Sequence, residues 1–296
     1  MSIDSLQALL RTRLPEYHLN SAKPLSGGLS NRCWQVVIEH GLTGLCHTLV
    51  WRPHSAASQA FGVSRLNEHD VLHAIDTSAK RDIAPSTFAL FPEGLLVEWA
   101  EGQTAKPDLP IATIMTLLGT IHHLPLPSWR LDCQQRGAHY WQYVGGAVDD
   151  HQLCHIHAYF QSLSVTTWFA DTCCHHDLGW YNVIVTPDGQ HKVIDWEYSA
   201  AGDPSLDLAL TIAANQLEPS KAVSFYCQRM GITDAASQSR WLSAVTYWQP
   251  WCDYLAMLWF YVGAQHFSGQ EQPDEGYLSE AQVLQAKLWN ELQFSD

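Results

Sequence analysis

Two patterns of apolar and polar positions divide the chain. Leu6, Leu9 and Leu10 fall on one face of a short helix over Ser5 to Arg13, stopped by Pro15. The β-branched and aromatic run Cys33-Trp34-Gln35-Val36-Val37-Ile38 predicts a strand. His40-Gly41-Leu42-Thr43-Gly44 predicts the turn, and His47 to Trp51 the return strand, ending at Arg52-Pro53. Asn67 to Ile75 reads as a helix with Val71, Leu72 and Ile75 apolar. Ser86 to Phe91 and Leu95 to Trp99 read as two strands around Pro92-Glu93-Gly94. The chain changes character at Trp99-Ala100-Glu101-Gly102, which is followed by Pro107 and Pro110. From Ile111 it is mostly helical: Ile111, Ile114, Met115, Leu118 and Ile121 keep helical spacing and form a core stripe. The expectation is an α+β chain, with a small antiparallel β-rich N-terminal lobe over residues 1–100 and a larger, mainly helical lobe over 101–296.

One stretch interrupts the helical half. Residues 175–182 spell H-x-D-x-x-x-x-N, with His175, Asp177 and Asn182 in the three places. Val183-Ile184-Val185 follows as a strand, Thr186-Pro187-Asp188-Gly189-Gln190 as a turn, and Val193-Ile194-Asp195 as the answering strand. In a hairpin, Asn182 would start one strand and Asp195 would end the other, which brings their side chains to the same end. An amide oxygen and a carboxylate there, with Asp177 on the loop just before, make a hard-oxygen set suited to Mg²⁺. Phosphoryl transfer needs this combination: a base for the acceptor proton and oxygens that hold the metal on the phosphates. The plain alternative is a buried histidine with capping polar residues.

Other positions carry weaker signals. Gly27-Gly28 lies at a strand entrance, where backbone amides could cover phosphates, although a Gly-Gly pair is commonly only a turn. Arg52, at a strand end, could reach the same phosphates, with Glu68 on the next helix available to hold it; otherwise it is a solvated arginine. Asp207 reads either as a first-turn charge matching a helix dipole or as a hydrogen-bond acceptor for the 175–182 loop. His122-His123 reads as a helix cap and core packing. His151, Cys154, His155 and His157 read as amphipathic filler on a helix rather than as a metal cluster. Trp241 to Phe267 is rich in aromatic residues, mostly core, of which two or three could face a cationic ring.

Composition narrows the function. Apolar residues make up 46% of the 296, charged residues 16%, and the formal net charge is −14. An acidic surface argues against nucleic acid and anionic membranes, and favours cationic small molecules. The N-terminus lacks a basic region followed by an apolar run, and no stretch is long and apolar enough to span a membrane. Eight cysteines without a C-x-x-C pattern fit reduced thiols and a cytoplasmic location.

Taken together, Gly27-Gly28-Leu29-Ser30-Asn31, the His175/Asp177/Asn182 motif, Ile194-Asp195-Trp196-Glu197-Tyr198, Gly202-Asp203-Pro204 and Asp207 resemble the aminoglycoside phosphotransferase and choline kinase family. The resemblance implies a bilobal protein kinase-like fold and transfer of the ATP γ-phosphate to a hydroxyl of a small molecule. Carried over by position, it implies Asp177 as catalytic base, His175 as a brace for the loop, and Asn182 and Asp195 as Mg²⁺ ligands. It implies that Gly27, Gly28, Ser30, Asn31 and Arg52 face the nucleotide phosphates, with Glu68 paired to Arg52. Val97-Glu98-Trp99-Ala100, through backbone groups of Glu98 and Ala100, would hold the adenine. The stretches Trp51-Arg52-Pro53-His54 and Trp248-Gln249-Pro250-Trp251 are similar to the bacterial thiamine kinase branch. That makes thiamine the first acceptor, choline or ethanolamine the second, and an aminoglycoside the third, with the protein a monomer or homodimer. Two departures stand out: the glycine entry is shorter than a full G-x-G-x-x-G, and Trp180-Tyr181 is bulky where many relatives carry small residues. A nucleotide-binding regulator without transfer activity is the reading from another class, and a metal hydrolase built on His175, His176 and Asp177 a poorer one.

Overall fold

Strands rich in β-branched, aromatic and leucine side chains build the first part of the molecule. The computed structural model describes residues 3–25, 33–144, 149–267 and 276–292. In chain order its early elements are α1 (Ile3–Arg13), β1 (Tyr17–Pro24), β2 (Trp34–His40), β3 (Cys46–Pro53), α2 (Ala56–Ala60), α3 (Arg65–Asp76), β4 (Thr87–Phe91) and β5 (Gly94–Glu98). Then come β6 (Gln103–Thr104), α4 (Ile111–Ile121), α5 (Cys133–Trp141), α6 (His151–Ser162), β7 (Thr172–Cys174), β8 (Val183–Val185), β9 (His191–Val193) and β10 (Ala200–Gly202). The chain closes with α7 (Pro204–Ala214), α8 (Pro219–Arg229), α9 (Ala235–Phe267) and α10 (Tyr277–Glu291). Two units result: Met1–Gln59 with Val63–Gln103 and Ile184–Glu197, and Ala60–Gly62 with Thr104–Val183 and Tyr198–Asp296. Ile184–Glu197 thus groups with the first unit, although the sequence pattern puts it among the helices of the second.

The first unit holds an antiparallel five-stranded sheet in the order β1-β2-β3-β5-β4. Successive side chains of a strand point to opposite faces. Val36 and Ile38 of β2 and Leu49 and Trp51 of β3 therefore share one face, where they bury against Leu6 and Leu10 of α1 and Leu96 of β5. Each such fully buried side chain contributes roughly 1.5–3 kcal/mol. Trp51 pairs with Leu96 across the ladder and Arg52 with Leu95, so Arg52 projects from the opposite face. The β4–β5 hairpin turns tightly there: a Cβ on Gly94 would sit 2.5 Å from the Arg52 carbonyl oxygen. On the Arg52 face, α3 starts at Ser64, whose hydroxyl accepts from the Asn67 amide at 3.3 Å. That start points Glu68 inward from the first turn. β1 was not apparent from the sequence, since Tyr17–Pro24 is a half-exposed edge strand with a bulge between Leu19 and Ser21.

In the second unit, α9 runs 33 residues with Pro250 inside it, and α7 and α10 pack along it. Its aromatic residues are chiefly core, as expected: Trp251 and Tyr254 are buried, and Tyr254 stacks on Phe160 with centroids 4.2 Å apart. The α9–α10 approach is close enough that a Cβ on Gly263 would meet the Tyr277 ring at 2.4 Å. β7 pairs antiparallel with β10, Cys174 opposite Ala200, and so delivers the chain to His175.

Candidate active site

The loop after β7 is held from beneath by Asp207. The structure starts α7 at Pro204, with the Asp203 carboxylate capping it through the Ser205 amide at 2.9 Å. Asp207 lies in the first turn, fully buried. Its carboxylate accepts from the backbone amides of His175 at 2.9 Å and His176 at 2.7 Å. Of the two sequence readings of Asp207, the structure shows both at once, a first-turn charge and an acceptor for the loop. His122 closes the arrangement, with Nε2 3.1 Å from Asp207 and Nδ1 2.7 Å from the Tyr226 hydroxyl. A carboxylate only accepts, so Nε2 carries a hydrogen toward Asp207. Burial alone would push the Asp207 carboxyl up, but the His122 hydrogen bond, His176 and the loop amides bring it well below the usual carboxylate range. His176 takes a positive φ of 63° and donates Nδ1–H to the Tyr198 carbonyl at 3.1 Å. Burial lowers its pKa.

Above this base, residues 177–182 close on themselves. Asn182 ends a 3-10 turn, Trp180–Asn182, immediately before β8, where the sequence pattern made it the first strand residue. Its Nδ2 donates to the Asp177 carbonyl at 2.9 Å and to Asp177 Oδ2 at 3.0 Å. Tyr181 donates its hydroxyl to Asp177 Oδ1 at 2.7 Å. Asn215, at the end of α7, straps the loop from outside: its Oδ1 accepts from the Trp180 amide at 2.9 Å and its Nδ2 donates to the Leu178 carbonyl at 2.7 Å. Asp177 and Asn182 are thus brought together as expected, while the contributions of Tyr181 and Asn215 were not anticipated.

The first unit carries the charged cluster. β8 and β9 are neighbouring strands joined by a turn in which the Thr186 amide donates to the Gln190 carbonyl at 2.9 Å. Asp195 comes two residues after β9 rather than ending it, in the left-handed region with φ 64°. A non-glycine residue there is uncommon, though Asp tolerates it better than most. Arg52 contacts Asp195 directly and Glu197 at 2.8 Å, and its Nε lies 2.8 Å from Glu68 Oε1 as an ion pair rather than an aligned hydrogen bond. Arg65 joins the same carboxylates, 2.7 Å from Glu68 and 2.9 Å from Glu197. Burial opposes the Arg52 charge, yet Asp195 and Glu68 hold its pKa well above the ordinary value. Burial and the charge of Asp195 push the Glu197 carboxyl up against the pull of Arg65 and Arg52. The expected Arg52–Glu68 pair is present. Arg65 and Glu197 were missed, and the only signals were the i, i+3 spacing to Glu68 and the acid two residues past Asp195.

A model of the phosphotransferase enzyme family matches residues 21–228, which include all of these side chains. The chain belongs to that family, and it is a small-molecule kinase. Among curated proteins it is 25% identical to the thiamine kinase of Salmonella paratyphi A over 256 residues, covering 85% of both chains. The thiamine kinase of Salmonella typhi is similar to the same extent. Among solved structures, a choline kinase from Cryptosporidium parvum superposes with a TM-score of 0.69 at 15% identity, over 99% of this chain and 96% of that one. A choline/ethanolamine kinase family protein from Mesorhizobium loti gives 0.64 at 17%, over 99% and 96%. The α+β, protein kinase-like fold implied by the motifs is therefore the fold of this phosphotransferase, with a sheet-bearing and a helical unit.

Each of the two expected metal ligands, taken by itself, has hard-cation chemistry. Asn182 commits its amide nitrogen to two acceptors on Asp177, which leaves the carbonyl end of the amide to face a metal. Asp195 is a carboxylate with 29% of its side chain exposed. Of the nucleotide contacts expected from sequence, Gly27, Gly28, Ser30 and Asn31 lie outside the described residues. In the expected adenine segment, the Glu98 amide donates to the Ser86 carbonyl at 2.9 Å and the Trp99 amide to Thr48 at 3.0 Å. A nucleobase would have to use carbonyls there or the Ala100 amide. Among the described residues, the one group of clustered metal-type ligands is His122, Cys174 and Asp207, and all eight cysteines are free thiols. No described helix is long and apolar enough to cross a membrane.

Proposed function

We propose that this phosphotransferase moves the γ-phosphate of ATP to the primary hydroxyl of a small cationic alcohol, thiamine in the first place. The observation that carries the reading is the Asp177 carboxylate, oriented by Tyr181 on one oxygen and Asn182 on the other. Asp177 takes the acceptor proton as the oxygen attacks phosphorus; His175, anchored through its amide to Asp207, braces the loop. Asn182 and Asp195 would hold Mg²⁺, which supplies charge neutralisation on the phosphates. Arg52, aimed by its carboxylates, reaches the phosphate oxygens. The nucleotide side is assigned to residues 1–100 and the acceptor side to 101–296. Thiamine is favoured because the curated relatives are thiamine kinases and because a net charge of −14 with 13 tryptophans suits a positively charged ring.

Choline or ethanolamine is the second reading, favoured by the fold of the choline kinase neighbours. An ATP-consumption screen over thiamine, choline, ethanolamine and kanamycin decides among them. Thiamine-dependent ADP formation is expected. Turnover with choline alone would move the assignment to the second reading. Nucleotide binding without transfer to any acceptor would make the protein a regulator.

A further inference from the structure

We propose that Arg65 is a positioning residue for nucleotide phosphate binding: a second buried cation that holds the two carboxylates which aim Arg52. The inference rests on the kinase reading and adds to it a residue that touches no substrate, being only 4% exposed.

Three carboxylates meet two guanidiniums in this cluster. Glu68 divides its oxygens, Oε1 lying 2.8 Å from Arg52 Nε and Oε2 2.7 Å from Arg65. Glu197 Oε2 is shared, 2.8 Å from Arg52 and 2.9 Å from Arg65. Arg65 also donates Nε–H to the carbonyl of Pro53, the residue after Arg52, at 3.3 Å. One guanidinium therefore sets the spacing between Glu68 and Glu197 and ties both to the backbone beside Arg52. Without it, two buried carboxylates would face each other across Arg52 alone. They would repel, take up a proton, or draw Arg52 inward.

The same geometry separates the partners of Arg52 into fixed and exchangeable ones. Glu68 and Glu197 are buried and doubly held. Asp195 is the partly exposed partner and meets the same terminal nitrogen of Arg52 as Glu197 does. Were Asp195 to turn to a metal ion, Arg52 would keep Glu68 at Nε and Glu197 at that terminal nitrogen. The hydrogen that Asp195 accepted would then be presented to a phosphate oxygen, with the guanidinium still held by Glu68 and Glu197. A purely structural ion cluster would affect stability but not nucleotide affinity.

The test compares Arg65→Gln and Arg65→Lys with the wild-type chain. The readouts are Mg·ATP affinity by calorimetry, KM for ATP against KM for the acceptor, and thermal unfolding. Arg65→Gln is expected to weaken Mg·ATP binding about tenfold or more while the acceptor KM stays within about twofold. Arg65→Lys keeps the charge but cannot reach Glu68, Glu197 and Pro53 together, so it recovers only part of the affinity. If Arg65→Gln does not fold, the lysine variant decides. Wild-type nucleotide affinity in the folded variant overturns the proposal, whatever happens to the melting temperature. Wild-type protein that binds Mg·ATP but transfers to no acceptor removes the kinase reading alone, and the calorimetric comparison still decides on Arg65. Wild-type protein that binds no nucleotide removes both.

Discussion

The Tyr181 hydroxyl donates to Asp177 Oδ1 at 2.7 Å, while Asn182 Nδ2 donates to Oδ2 at 3.0 Å. Both oxygens of the carboxylate thus have a donor, and the aspartate has one orientation. The tyrosine ring in turn rests on Gly179, where a Cβ would sit 2.2 Å from the ring. Tyr181→Phe keeps the ring and removes the donor. It is expected to lower kcat by about threefold to tenfold, with KM for ATP unchanged, because the lost contact is worth about 1 kcal/mol. Tyr181 is 39% exposed, so stability should stay within about 0.5 kcal/mol of wild type. Gly179→Ala should mimic the effect by displacing the ring, and should add little in a Tyr181→Ala background. Additive losses in that double-mutant cycle would show that the ring is not what Gly179 accommodates.

The legible parts of this fold are those where one periodicity rules. β2 and β3 place Val36, Ile38, Leu49 and Trp51 on one face, β5 is a continuous apolar run, and α4 keeps a clean apolar stripe. β1 was not legible because an edge strand with one face open need not alternate apolar residues. α10 buries Tyr277, Ala281, Gln285 and Leu288, a helical spacing hidden by a small and a polar member. At the site, the motif and its hairpin singled out Asp177, Asn182 and Asp195, and a strand-end cation with an acid on the next helix singled out Arg52 and Glu68. Tyr181, Asn215, Arg65 and Glu197 act through contacts that only the folded chain creates, some between residues more than a hundred positions apart, such as Arg65 and Glu197. Positive φ at His176 and Asp195 is likewise imposed by the surrounding structure, since neither residue type demands it.

Asp195 tests the metal assignment. Asn tolerates the left-handed backbone found there, at φ 64°, so Asp195→Asn should fold. It removes the charge that a divalent ion requires and the ion pair to Arg52. In wild-type protein, calorimetry should show ATP binding strengthened by Mg²⁺. In the variant that gain should disappear, and transfer should fall by about a hundredfold or more. An unchanged Mg²⁺ dependence would remove Asp195 from the ligand set.

A histidine away from the loop sets an acid limit on stability. His157 stacks on Trp141 with centroids 4.0 Å apart, and its Nδ1 lies 2.7 Å from the Tyr254 hydroxyl. Burial lowers its pKa from 6.5 to about 4. The folded state resists the proton that the unfolded state accepts. Stability is therefore lost as pH falls from 6.5 toward about 4, and this contribution levels off below that. Melting temperatures measured from pH 7 to 5 should fall in wild-type protein and fall less in His157→Gln. Parallel pH curves for the two would show that another group is responsible.

Asp207 acts in the same direction over a lower pH range, for the opposite electrostatic reason: its charged form, not its neutral form, is the one the fold favours. Its folded pKa is depressed below the ordinary 3.8 by His122 and the loop amides, which outweigh burial. The stability it contributes is fully present above 3.8 and is lost as pH falls through the lowered folded value. Asp207→Asn puts an NH₂ group where either the His175 or the His176 amide now donates, since both carboxylate oxygens are in use. A buried donor facing a donor costs about 1–3 kcal/mol, and the lost charge adds to it. Urea denaturation at pH 7 should therefore show a lower midpoint, and the part of the acid unfolding below pH 3.8 that depends on Asp207 should vanish from the variant. Transfer should also drop, because the amides of His175 and His176 lose the support that holds Asp177 in place. A variant with wild-type stability and slow turnover would mean that Asp207 orients the loop without anchoring the fold. A variant that is less stable but turns over at the wild-type rate would mean the reverse.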